Sequence, residues 1–99
     1  MIRLQLPLEP LLRAVMPPSA PPPLRLRPEV GELGTLVDYI DAFAGEQSLP
    51  PGDACAITLV AEELFANTLN HSSPAATSIE FSLARDGDAA TAIYSDDAA

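Results

Sequence analysis

The sequence predicts an α+β domain, a two-layer α/β sandwich with its helices on one side of a sheet. Three observations carry that expectation. Two amphipathic helix patterns follow one another through the middle of the chain. Short apolar runs of strand type lie on either side of them. And Asp86-Gly87-Asp88 stands between the last two such runs as a hairpin turn signal. At 99 residues the chain is long enough for one small domain.

Residues 1–23 hold seven of the eleven prolines, including Pro17-Pro18 and Pro21-Pro22-Pro23. Proline fixes φ and lacks an N–H, so such a segment favours extended, solvated conformations. Leu4, Leu6, Leu8, Leu11 and Leu12 could dock elsewhere, or the prolines could form a ligand motif. The segment as a whole reads as a flexible N-terminal tail, with the domain proper at 24–99.

Leu24-Arg25-Leu26-Arg27 alternates apolar and charged residues, the mark of a half-buried or edge strand. Pro28 ends it, and Pro28-Glu29 opens the first helix, with Glu29 and Glu32 near its positive end. Val30, Leu33, Leu36, Val37, Ile40 and Phe43 form its apolar stripe at spacings of three and four. Gly31 and Gly34 each weaken it by roughly 1 kcal/mol relative to Ala and leave room for close packing on a neighbour. Gly45 is the expected stop.

Ser48-Leu49-Pro50-Pro51-Gly52-Asp53 is a loop of turn residues, and Pro51 or Asp53 starts the second helix, which is expected to reach about His71. Ala54, Ile57, Ala61, Leu64, Phe65 and Thr68 share its core face. Glu63, Asn67 and Asn70 fall within a wedge of about 60° on the opposite side, with His71 at its edge. A solvated surface face is one reading of that wedge. Asn is a poor helix-interior residue, however, because its amide competes for backbone hydrogen bonds. Beyond Ser72-Ser73-Pro74, Ser78-Ile79-Glu80-Phe81-Ser82-Leu83-Ala84 and Ala89-Ala90-Thr91-Ala92-Ile93-Tyr94-Ser95 read as two strands, followed by Asp96 and Asp97. Three strands make a thin sheet, and Ala92-Ile93-Tyr94 would make a poor exposed edge. The expectation is a fold lacking its C-terminal portion.

The net charge is −9, with 13 carboxylates and Arg85 as the one cation from Glu29 onward. That argues against direct nucleic-acid binding, which needs cationic contacts along the backbone. It leaves nucleotide binding open, because a divalent cation and backbone N–H groups can neutralise phosphate. Cys55 is the only cysteine, which fits a reducing cytoplasm; with one His beside it, it makes a structural zinc site untenable. No apolar run approaches the roughly 18 residues that crossing a membrane requires.

Residues 24–99 resemble the histidine-kinase-like ATPase domain (GHKL, Bergerat fold), and within it the anti-sigma-factor serine kinase branch. The resemblance lies in the order of first helix, L-P-P-G-D loop, second helix with E-E-L-F-A-N-T-L-N-H, and hairpin. Glu63, Asn67 and His71 stand where the family's first box has Glu, Asn and His, and Asp96 stands where its second box begins. The resemblance implies ATP and Mg²⁺ as cofactors. Asn67 would be the metal ligand, through its side-chain oxygen, and Glu63 the catalytic carboxylate, orienting or deprotonating a partner's serine hydroxyl or a water. Asp96 would accept a hydrogen bond from the adenine amino group. His71 would either contribute to the nucleotide site or pack and cap the helix end. Asn70 would be exposed, and Asp97 would face solvent or the pocket rim.

The same resemblance implies a sigma factor or an anti-anti-sigma (STAS-type) protein as partner, and a homodimer through the first helix and sheet edge. Two departures weigh against catalysis. Ala98 replaces the Gly that usually follows the two acids. The sequence also contains no Gly-x-Gly phosphate cradle, and the family's lid would lie beyond Ala99. The alternative is therefore a lidless, catalytically inactive interaction module that binds a regulatory protein.

Overall fold

A computed structural model describes residues 1–7, 20–72, 78–86 and 89–97, with the side chains of 71, 72 and 86 outside the description. Strand β1 is Ile2–Pro7, β2 Leu24–Leu26, β3 Ile79–Asp86 and β4 Ala89–Asp96; helix α1 is Leu33–Glu46 and α2 Pro51–Asn67. The four strands form one antiparallel sheet in the order β1-β4-β3-β2. Both helices contribute to a single core with the sheet, so the α+β class and the two-layer arrangement hold.

The strand alternation explains which face the helices cover. Ile79, Phe81 and Leu83 of β3 are buried in phase, as are Ala90, Ala92 and Tyr94 of β4. Leu36, Ile40 and Phe43 of α1 and Ile57, Ala61 and Phe65 of α2 join them in one core. Edge-on ring contacts join Tyr39 to Phe81 and Phe81 to Tyr94 at centroid separations of 6.0 and 6.5 Å. Residues of the opposite phase, such as Glu80, Ser82, Thr91 and Ser95, lie on the open face.

The tail expectation is corrected at its start. Residues 2–7 are not a flexible tail: they form the edge strand β1, paired along β4 from Ile2 opposite Tyr94 to Pro7 opposite Ala89. Leu4 and Leu6 pack against the core. The β4 edge that three strands would have left open is thereby covered. Proline is tolerated at Pro7 because an edge strand need not donate on both sides. Residues 8–19 lie outside the description, while Tyr39 donates its hydroxyl to the Pro22 carbonyl at 2.8 Å and ties the approach to β2 onto α1.

The first helix differs from expectation at its start, at its glycines and at its end. A short 3-10 turn, Val30–Glu32, precedes α1, and Val30 is left 74% exposed rather than in the stripe. Among the described residues, a Cβ added to Gly31 or Gly34 would meet nothing within 4 Å, so neither glycine serves close packing there. And α1 ends at Glu46, with Ser48 rather than Gly45 in the closing left-handed position. Ser48 adopts φ +53°, its N–H bonds to the Gly45 carbonyl at 3.3 Å, and the Leu49 N–H reaches the Ala44 carbonyl at 3.0 Å. This is a Schellman ending with serine in the left-handed position and Leu49 buried behind it. Pro51 does open α2.

Candidate functional site

The second helix changes character where the polar residues gather. It is α-helical through Asn67 and then widens into a π turn, Thr68–Ser72. Such turns often mark functional positions in helices. The change also alters the rotation per residue, so Asn70 no longer follows the phase that an unbroken α-helix would give it. Glu63, Asn67 and Asn70 are all exposed, as the polar wedge predicts. The side chain of His71 lies outside the described residues, and so does Ala98.

Glu63 and Asn67 sit one turn apart and line a shallow apolar cleft of about 320 Å³ with Leu59, Val60 and Leu64. Leu64 and Asn67 also line an adjoining cleft of about 280 Å³, whose other walls are Thr68, Tyr94, Asp96 and the start of β1. Asn67 therefore faces both spaces, and the second contains Asp96. The first cleft is at the small end of the range for ligand sites, and the second falls just below it.

Strand alternation splits the acidic pair. Asp96 lies opposite Ile79 on the helix-covered face and is half-buried. Asp97 is exposed, and its carboxylate accepts from the Ser78 N–H at 3.1 Å, clipping the end of β4 to the start of β3.

Thr68 and Tyr94 belong to this site, although the sequence placed Thr68 only on the core face and Tyr94 only in a strand. The Thr68 hydroxyl is 2.6 Å from the Tyr94 hydroxyl and donates toward Asp96 Oδ2 at 3.1 Å, with the Leu64 carbonyl at 3.2 Å. The signal was available: Tyr94 precedes Asp96 by two residues, so both share a strand face. Burial raises the Tyr94 phenol above its ordinary value; the Thr68 hydrogen bond opposes that rise and the Asp96 charge adds to it.

At the other end of the same face, Arg85 is 1% exposed and its Nε donates to Gln47 Oε1 at 2.8 Å. Neither Nη has a hydrogen-bond partner among the described residues. Arg85 is in phase with Ile79, Phe81 and Leu83, so its inward direction was also readable.

Glu63 and Asn67 offer hard oxygen donors, which fits a magnesium ion completed by waters and phosphate oxygens. No group of three His, Cys, Asp or Glu side chains poised for a metal occurs among the described residues. No described helix is long and apolar enough to cross a membrane. Comparison with protein-family models, curated proteins and solved structures returned no match.

Proposed function

We propose that this chain binds a magnesium–adenine nucleotide along the C-terminal half of α2, as the nucleotide-binding part of a cytoplasmic regulatory protein of the anti-sigma-factor serine kinase type. The observation that carries this reading is that Asn67 and Asp96, 29 positions apart in sequence, line one cleft. Asn67 would hold Mg²⁺, which supplies charge neutralisation to the phosphates when bound. Glu63 is one turn away, open to solvent and able to orient a hydroxyl brought by a partner. Asp96 presents a carboxylate to the amino edge of the base. A Bergerat-type arrangement of the nucleotide, a STAS-type phosphoacceptor, a sigma-factor ligand and a homodimer belong to this proposal through the family resemblance.

Calorimetry with Mg·ATP and Mg·ADP tests it on the intact chain and on Asn67→Ala. Micromolar, Mg²⁺-dependent binding that Asn67→Ala strongly weakens is the expected result. Absence of heat from a chain that still melts cooperatively would remove the nucleotide reading.

A second reading, the non-catalytic interaction module, is favoured by a separate observation. Leu59 is 57% exposed and lines an apolar cleft with Val60 and Leu64. A partner protein seated there would be lost on Leu59→Glu and retained on Asn67→Ala. Titrating a purified STAS-type protein against both variants separates the two readings.

A further inference from the structure

We infer that Thr68 and Tyr94 form a hydroxyl relay that positions Asp96 and makes the cleft selective for an amino-bearing purine edge; this rests on the nucleotide reading above. Proton counting gives the relay its direction. Thr68 has one hydroxyl proton and two acceptor lone pairs. Two of its neighbours, the Leu64 carbonyl and ionised Asp96, can only accept. Its single proton is therefore committed to them, and Tyr94 must donate into Thr68 across the 2.6 Å contact. The chain runs from the Tyr94 O–H to the Thr68 O–H to Asp96 Oδ2.

Thr68 and Tyr94 are both buried, so these bonds form where water competes little and each polarises the next. Thr68 thus holds Oδ2 of Asp96 from inside the fold while the residue borders the cleft. A carboxylate fixed in that way accepts a hydrogen bond from an exocyclic amino group and repels a carbonyl in the same place. A site built to receive a donor rejects the analogue that lacks it. Thr68 directly follows Asn67, so the group that positions the base-reading carboxylate and the group facing the phosphates ride on consecutive residues at the point where α2 widens.

The test measures Mg·ADP and Mg·IDP affinities, the second nucleotide carrying a carbonyl where the first carries the amino group. Wild type should prefer ADP. Thr68→Val should weaken ADP by about tenfold and bring the ADP:IDP ratio close to one. Thr68→Ser, which restores the hydroxyl, should restore the ratio, and Tyr94→Phe should lower it partway without removing the methyl packing at Thr68. Asn67→Ala should weaken both nucleotides and leave the ratio intact. An unchanged ratio in Thr68→Val and Tyr94→Phe, with wild type binding ADP, overturns the relay and leaves the nucleotide cleft standing. A wild type that binds neither nucleotide overturns both.

Discussion

Two polar devices sit on the same covered face of the sheet, one at each end, and they are built differently. At the Asp96 end, the Thr68 hydroxyl makes contacts to Tyr94, Asp96 and the Leu64 carbonyl, and Thr68, Tyr94 and Asp96 border a cleft. At the other end, Arg85 is enclosed, with Gln47 as its only hydrogen-bond acceptor among the described residues. The first is partly redundant: with Tyr94 removed, Thr68 keeps the Leu64 carbonyl and Asp96 as partners. The second hangs on a single bond to a buried charge. Redundancy next to open space is what a ligand site needs, because its groups must exchange partners with a ligand without collapsing the fold. A lone buried cation has no such freedom, and its energetics concern folding.

The largest effect expected from this contrast is at Gln47. Gln47→Ala leaves the Arg85 guanidinium buried without an acceptor and should cost about 3 kcal/mol. The double change Gln47→Met with Arg85→Met removes the charge and fills the space, and should be more stable than wild type by about 1–4 kcal/mol. Urea unfolding midpoints measure both. A loss below about 0.5 kcal/mol in Gln47→Ala would break the comparison, since the guanidinium would then be satisfied some other way.

Tyr94→Phe should cost less, about 1 kcal/mol, because Thr68 keeps Leu64 and Asp96 as partners. The same substitution has a consequence at high pH. The Tyr94 phenol titrates above its ordinary value of 10.0 in the folded state. Folding then favours the protonated phenol, so its contribution is whole below that pH and is lost as pH rises through the higher folded value. Tyr39 is raised in the same direction by burial. Melting temperatures should therefore fall more steeply above pH 10 in wild type than in Tyr94→Phe, and least in Tyr39→Phe with Tyr94→Phe. Thr68→Val tests the direction of that bond, because a phenol that donates is held in its neutral form while a phenolate that accepts is held in its charged form. A fall in the Tyr94 titration is expected if Tyr94 donates to Thr68, and a further rise would show that Thr68 donates to Tyr94 instead.

Much of this contrast was legible in the sequence, for definite reasons. Leu36, Ile40 and Phe43, and Ile57, Ala61 and Phe65, recur at helical spacing and are buried as that spacing demands. The polar wedge of Glu63 and Asn67 followed from the same geometry. What escaped was strand phase at the ends of elements. Ile2-Arg3-Leu4-Gln5-Leu6 alternates as cleanly as Leu24-Arg25-Leu26-Arg27, but the prolines that follow dominated the composition of residues 1–23. Tyr94 and Arg85 were each in phase with buried neighbours, yet a tyrosine in a strand and an arginine anywhere look unremarkable alone. The π turn after Asn67 has no local signature; it occurs where Thr68 is bonded to a strand 26 residues later. Long-range bonds of that kind are not written in any window of sequence.

The smallest expected effect is at Ser48, next to Gln47, and it tests how far the Arg85 end is strained. A non-glycine residue at φ +53° places Cβ against its own carbonyl, which costs about 1 kcal/mol or more. Ser48→Gly relieves that and loses part of the gain to the greater freedom of glycine in the unfolded chain, so a net stabilisation of about 0.5 kcal/mol is expected. The strain is local to the backbone and the Schellman bonds of Ser48 and Leu49 do not involve the side chain. The gain should therefore be the same in the Gln47→Ala background. A gain that shrinks there would mean that the Gln47–Arg85 bond is what holds Ser48 in the left-handed region. The lone cation would then be shaping the loop into α2, and through that helix the position of Glu63 and Asn67 at the far end.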